Sequence, residues 1–391
     1  MTHDAGRSVE LDRPIAGLRH TAARIAHLTS VHPPLDHRIF SKECRTLVEA
    51  GFDVTLIAPA DEDSDVEGVK IRAVRPSANR VERMSRTIWS VYRAAVHERA
   101  DLYHFHDPEL IPVGILLKLR GNRVVFDVHE DDPQQILSKS WLPKAVRPLI
   151  AWGLNVIEGT AARLFDATVL VIPMRHRKFP RLKTLLVRNF PLLQEFSPRS
   201  GIPYAERPPL ATYVGDVSVV RGAYEMMAAM ALLPQDVEAR LAIAGRFRPP
   251  ELANALQALP GADRVDLIGL VPRDRVAALL GEARIGLCIL HPIPGFPEAY
   301  PVKLFEYMAA GIPIISSDFP VWRRVVDRAG CGLLVDPLQP AELADAIATL
   351  LRDPEAARAM GERGRKAVIE NYRWQAEGLR MVALYRRLLG A

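Results

Sequence analysis

The sequence predicts an α/β fold of two doubly wound parallel-sheet domains facing a cleft. Three observations predict it. Short apolar runs alternate with segments of helical period, the rhythm breaks once at a Pro-rich passage, and it resumes in a second half built like the first. Composition agrees: 391 residues, 49% apolar and 25% charged, suit a soluble globular chain of two or three domains.

Residues 1–22 show neither periodicity nor the apolar core of a signal peptide and read as a flexible leader. From Arg24 the strands and helices alternate. "RIAHLTS" (24–30) is a short apolar run, 40–51 is helical and ends in glycine, and "FDVTLIAP" (52–59) is the next strand. "VKIRAV" (69–74), a helix over 80–98, "ADLYHFHD" (100–107), a helix over 108–119 and "RVVFDVHE" (123–130) continue the series. A long helix over 142–164 precedes "ATVLVI" (167–172) and "TLLVRNFP" (184–191). Prolines fit neither central strands nor helix interiors, so "NFPLLQEFSPRSGIPYAERPPL" (189–210) reads as the linker. Beyond it come "ATYVGD", a helix over 221–233, "ARLAIAG", "RVDLIG", a helix over 273–281, "ARIGLCIL", a helix from Pro301, "IPIISS", a helix over 320–328 and "GLLVD". Helices over 340–351, 354–370 and 373–389 close the chain. Ligands of such open sheets bind beyond the carboxyl ends of the strands.

Several function classes fall away. Cys44, Cys288 and Cys331 have no paired spacing and read as reduced side chains, as in a cytoplasmic protein. No apolar run is long enough to span a membrane. A GxGxxG turn after the first strand is missing, which excludes a dinucleotide oxidoreductase. Among eleven histidines no HxxxH pair occupies one helix, so no metal is expected. "DEDSD" (61–65) tempts a metal-binding reading but reads better as a solvated acidic linker between strands. The net charge of +5 leaves room for anionic partners. "RHRKFPRLK" (175–183) concentrates five cations with no nucleic-acid motif beside them. It suits a charged turn, an anionic lipid or a lipid-diphosphate acceptor, and so peripheral contact with a membrane.

The densest chemistry is "PGFPEAYPVKLFEYMAAGIPIISS" (294–317). A proline suits the first position of a helix, so a helix starting at Pro301 leaves the amides of Val302, Lys303 and Leu304 free. Those amides and the helix dipole form an anion site best suited to phosphate, and Lys303 adds a full charge. Glu298 in the preceding loop and Glu306 in the second helical turn then straddle the phosphate, and two hydrogen-bond acceptors flanking an anion suit a nucleotide sugar.

Glu298-x7-Glu306 within "EAYPVKLFEYMAAGIPIISS" resembles the E-x7-E motif of the retaining glycosyltransferases of family 4, and the resemblance runs from about Arg24 to the end. It implies two Rossmann-like domains of the GT-B type: an acceptor-binding domain over 23–190, with the helix 373–391 packing back on it, and a nucleotide-sugar-binding domain over 191–372. It implies that Glu306 holds the ribose hydroxyls and Glu298 the hydroxyls of the transferred sugar. "YVGDVSVVRGAYEM" (213–226) looks like the family's phosphate loop, with Arg221 and Gly222 in place but Asp216 where the first arginine is expected. Lys303 or Arg246 would compensate, although Arg246 reads equally as a surface arginine. Leu270 and Val271 of "LIGLVP" match the segment that meets the nucleobase.

In the first half, His129 of "FDVHEDDP" matches a family histidine that contacts the donor sugar or a phosphate oxygen; a structural loop histidine is the competing reading. His106 and Asp107 follow a strand and read as acceptor-pocket or plain loop residues. His32, Asp36, His37 and Arg38 stand where relatives carry a glycine-rich turn, and acceptor contacts are plausible there. The expected activity is retaining transfer of a sugar from a nucleotide diphosphate without a metal or other cofactor, to a polysaccharide or lipid-linked acceptor. The alternatives are a nucleotide-sugar epimerase or hydrolase on the same fold and a non-catalytic sugar-nucleotide-binding subunit.

Overall fold

The computed structural model describes residues 22–79, 82–128, 132–138, 142–171, 178–196 and 202–390. The chain forms two compact units. Among the described residues, one takes in 22–127, Leu164–Ala167 and 382–390, and the other the remainder between 128 and 163 and between 168 and 381. The leader expected over 1–22 lies outside the described residues but for its last residue.

Eight strands make the first sheet: β1 (Arg24–Leu28), β2 (Asp53–Pro59), β3 (Ser64–Val66), β4 (Val69–Val74), β5 (Leu102–Phe105), β6 (Arg123–Val128), β7 (Ala167–Leu170) and β8 (Thr184–Leu186), in the order β3-β4-β2-β1-β5-β6-β7-β8. The central strands are buried on both faces, which is why they read as unbroken apolar runs. The acidic run departs from the expected loop at its end. Ser64 and Asp65 belong to β3, which pairs antiparallel with β4 at the sheet edge and keeps both side chains in solvent. Charge on an edge strand discourages further pairing, so an acidic composition and a strand coexist there.

The second sheet contains β9 (Leu210–Val214), β10 (Arg240–Ala244), β11 (Val265–Gly269), β12 (Ile285–Cys288), β13 (Ile314–Ser317) and β14 (Gly332–Val335). All are parallel, in the order β11-β10-β9-β12-β13-β14. The chain winds outward from β9 in one direction and restarts at β12 in the other. The point between β9 and β12 is therefore a topological switch, where the loops after two adjacent strands diverge and leave a crevice. Its loops carry "GDVSVVRG" and "PGFPEAYP", the two stretches singled out by chemistry.

Candidate functional site

The strand ends at the switch point are built for close approach of backbone. Gly215, Gly245 and Gly269 follow or end β9, β10 and β11, and each has positive φ. The Gly215 amide donates to the Ala244 carbonyl (2.9 Å) and the Gly245 amide to the Gly269 carbonyl (2.7 Å). A Cβ on Gly245 would collide with the Gly215 carbonyl, so the end of β10 tolerates no side chain. Gly222 caps the Ala223–Leu232 helix at φ +71°, and a Cβ there would lie 2.6 Å from Ile289 Cγ2.

The Val302–Ala310 helix begins beside these loops. Pro301 stands just outside it, with φ −69° and ψ 125°, so Val302 and not Pro301 is its first residue. The Leu304 amide donates to the Pro301 carbonyl (3.1 Å). The expectation of three free amides is corrected to two, those of Val302 and Lys303, because the extended proline turns its carbonyl back onto the helix. No side chain caps this end. Tyr307 fixes the helix to the sheet: its hydroxyl accepts from the Val214 amide (3.0 Å) and donates to the Leu287 carbonyl (3.0 Å), joining the ends of β9 and β12.

Lys303 is 7% exposed. Its Nζ sits 3.5 Å from the centroid of the Tyr213 ring and has no hydrogen-bond partner among the described residues. A Cβ on Gly215 would lie 3.3 Å from that nitrogen, so the amine reaches the glycine strand end directly. Burial, opposed by the Cys288 thiol and reinforced by nearby Arg221, lowers its pKa to about 7. A buried amine with no hydrogen-bond partner among the described residues and a second cation, Arg221, nearby is strained electrostatically, and an anion placed beside it relieves that strain.

Glu306 is buried, and its Oε1 accepts from Arg273 at 2.8 Å. The same Arg273 nitrogen bonds Glu195 at 2.7 Å, and the guanidinium lies 5.5 Å from the Phe196 ring centroid. Oε2 of Glu306 receives no hydrogen bond among the described residues. Glu298 is exposed in the turn before the helix. That turn is tied down by the Trp322 indole, which donates to the Ala299 carbonyl at 2.7 Å.

The family glycosyl transferases group 1 matches residues 198–367, and a glycosyl transferase 4-like domain matches residues 37–190. The chain belongs to the group 1 glycosyl transferases. An MMP alpha-(1->4)-mannosyltransferase of Mycolicibacterium hassiacum is 28% identical over 196 residues, which is 50% of this chain and 46% of that protein. The chain thus spans about half the length of the curated relatives it matches. The fold is also that of solved GT-B structures. Sucrose-phosphate synthase from Thermosynechococcus elongatus superposes with a TM-score of 0.76 at 20% identity, over 94% of this chain and 99% of the other. Anabaena HepE in complex with UDP and glucose gives 0.71 at 14% identity, over 93% and 100%.

Against the group 1 pattern, Arg221 ends the turn before Gly222, with its guanidinium 5.6 Å from the centroid of the Phe296 ring. Asp216, at the position of the missing arginine, forms an ion pair with Arg248 at 2.8 Å. The cation paired with Asp216 is Arg248, and both Arg246 and Arg248 are exposed. Leu270 is 70% exposed beyond β11, and Val271 is half-buried against the second core. His129 lies outside the described residues. Sequence reasoning passed over Arg273, Glu195 and the pair between His291 Nε2 and Glu225 (3.0 Å). The "PRDR" start of the Arg273–Glu282 helix was the available signal for the first of them.

The first unit places its candidates differently from the acceptor reading. His106 is 1% and Asp107 4% exposed. Asp107 Oδ2 accepts from the Thr29 hydroxyl (2.8 Å) and the Ser30 amide (2.6 Å), latching the turn after β1. Asp36 accepts from the amides of Arg38 and Ile39, at 2.8 and 2.9 Å, and Arg38 turns inward to Asp127 (2.8 Å) and Glu43 (2.9 Å). Arg38, His106 and Asp107 thus face the interior of the unit and not an open pocket. His106 and Asp107 follow β5, which is buried along its whole length, so both faces of the strand lead into the interior.

Proposed function

We propose that the protein transfers a sugar from a nucleoside diphosphate sugar to an acceptor hydroxyl, with retention of anomeric configuration. The observation that carries this reading is the buried Lys303 amine, which has no hydrogen-bond partner beside two uncapped helix amides and a glycine strand end. That constellation fits a diphosphate. Glu306 Oε2 would accept from the ribose hydroxyls, while Glu298 on its separate turn would reach the transferred sugar. Leu270 and Val271 would meet the base. The UDP and glucose held by Anabaena HepE support a nucleotide donor.

As the bond from the anomeric carbon to the diphosphate oxygen breaks, negative charge grows on the leaving phosphate. Lys303, Arg221 and the amides of Val302 and Lys303 would stabilise that charge. The acceptor oxygen then bonds the anomeric carbon on the face the phosphate leaves, and its proton passes to a phosphate oxygen. Retention follows without a protein nucleophile. Metal is not required by this arrangement, and turnover should be indifferent to added magnesium or manganese; an absolute requirement for either would reject that part.

We also propose a polysaccharide or lipid-linked acceptor met at a membrane surface. On the Arg147–Leu164 helix, Leu149, Trp152 and Val156 project from one face and are 67%, 65% and 45% exposed. The basic segment lies along this helix: Lys178 bonds Glu158 (2.7 Å), Lys183 donates to the Arg163 carbonyl (2.9 Å), and Leu182 is 95% exposed. Arg175 and Arg177 lie outside the described residues. Among the described residues no helix is long and apolar enough to cross a membrane.

The test is a thermal-shift screen against UDP, GDP and ADP and their sugars, followed by turnover with and without acceptor. A ligand at 100 times its dissociation constant stabilises by about 2.7 kcal/mol. Stabilisation by none of them overturns the donor reading, and donor turnover independent of acceptor points to a hydrolase or epimerase.

A further inference from the structure

The first unit holds a second constellation that the transfer reading does not use. Parallel pairing of β1 with β5 sets His27 opposite His104, and the two-residue period of β5 brings His106 onto the same face. Glu43, from the helical segment Ile39–Glu49 above that face, projects into the group. All four side chains are fully buried. Nδ1 of His27 stands 2.9 Å from Nε2 of His106. Oε2 of Glu43 stands 3.9 Å from a ring nitrogen of each of the three histidines. One donor atom from each residue falls within 4.8 Å of all the others.

We infer that His27, Glu43, His104 and His106 form a closed binding site for one transition-metal ion, with zinc its natural occupant. Ligands of a tetrahedral zinc at about 2.0–2.1 Å are separated by about 3.3 Å, and the four donors bracket that spacing. Three imidazoles and one carboxylate suit zinc and its neighbours, and not magnesium or calcium, which take oxygen ligands. The outer partners are those a ligating histidine uses. Asp127 Oδ2 lies 3.4 Å from Nδ1 of His106, and the Tyr385 hydroxyl lies 3.2 Å from Nε2 of His27. The same hydroxyl stands 2.5 Å from Nδ1 of His104, the nitrogen that faces Glu43, and a bound ion would displace it there. Arg38 balances Asp127 and Glu43 from the far side, at 2.8 and 2.9 Å. With four protein ligands and no solvent exposure the site is structural: it ties β1, β5 and the overlying helix together. It does not depend on the donor-site reading.

The experiment is metal analysis of full-length protein carrying no histidine tag, expressed in zinc-supplemented medium, followed by replacement with cobalt. The expected results are one zinc per chain and, with cobalt, the strong visible absorption of a four-coordinate ion. His106→Ala should abolish the band. If that variant fails to fold by circular dichroism, Asp127→Asn, which leaves all four ligands in place, decides: cobalt affinity should fall about 10–100-fold. Substoichiometric zinc together with no cobalt band would show a purely hydrogen-bonded histidine cluster and overturn the inference. So would unchanged cobalt affinity in both variants.

Discussion

Nucleotide binding should take up a proton, and Lys303 should be the group that receives it. In the free protein its amine has a pKa of about 7, against 10.5 for a lysine in water, because burial disfavours the charge. At pH 8 about one amine in ten is protonated. A diphosphate beside the amine restores the charge, so binding at pH 8 should consume about 0.9 proton, and at pH 6 about 0.1. Affinity should then fall by up to about tenfold per pH unit above 7, since one unit is worth 1.36 kcal/mol. The free protein should do the opposite. Its unfolded chain holds more protons between about pH 7 and 10.5, so stability rises with pH across that window. Titration calorimetry with UDP or GDP in two buffers of different ionisation enthalpy reads the proton directly. Lys303→Met should abolish the uptake and weaken binding at pH 6 by about 1.5–3 kcal/mol, the value of a hydrogen bond to a charged group. Equal enthalpies in both buffers at pH 8, or undiminished uptake in the variant, would refute the argument.

Glu306→Gln should weaken the bare nucleotide by about 1.5–3 kcal/mol, while Glu298→Gln leaves nucleotide binding intact and lowers turnover; calorimetry beside kinetics separates them, and equal losses of nucleotide affinity contradict the straddling arrangement. Gly222→Ala should destabilise by about 1–3 kcal/mol, since it combines positive φ with a Cβ 2.6 Å from Ile289; urea unfolding within about 0.5 kcal/mol of the parent would count against it. Tyr307→Phe should cost about 1–3 kcal/mol in the same assay, because the Val214 amide and Leu287 carbonyl lose a buried partner. Reversing the charges of Arg181 and Lys183 should weaken binding to anionic liposomes, at about 1 kcal/mol per cation, and Trp152→Ser should weaken the same binding; unchanged co-sedimentation rejects the membrane reading.

What was legible in the sequence follows from the range of each interaction. The two sheets could be read because buried parallel strands are continuous apolar runs and helices carry their own period. Short elements were not: the Leu252–Gln257 helix has too few residues to show a period, and β3 hides in an acidic run because an edge strand needs no apolar side chain. Lys303 and Glu306 stood out because Pro301 and their spacing act within one helix. Arg273 did not, since its partners Glu195 and Glu306 lie 78 and 33 residues away and only the fold introduces them. The histidine cluster shows the same limit. The expectation of no metal rested on spacing along single helices, whereas His27, Glu43 and His104 come from three segments. Only "HFH" at the end of β5 carried a local hint, two histidines two residues apart.

The two carboxylates of the E-x7-E motif rest on unlike mountings. Glu306 stands on a helix bolted to two strands by the Tyr307 hydroxyl and braced by Arg273, whereas Glu298 rides on a turn anchored by the Trp322 indole. On the proposed roles of Glu306 at the nucleotide and Glu298 at the sugar, nucleotide choice and sugar choice could therefore drift at different rates. Replacing residues 293–299 between relatives becomes a way to redirect such a protein toward another sugar while its nucleotide stays the same.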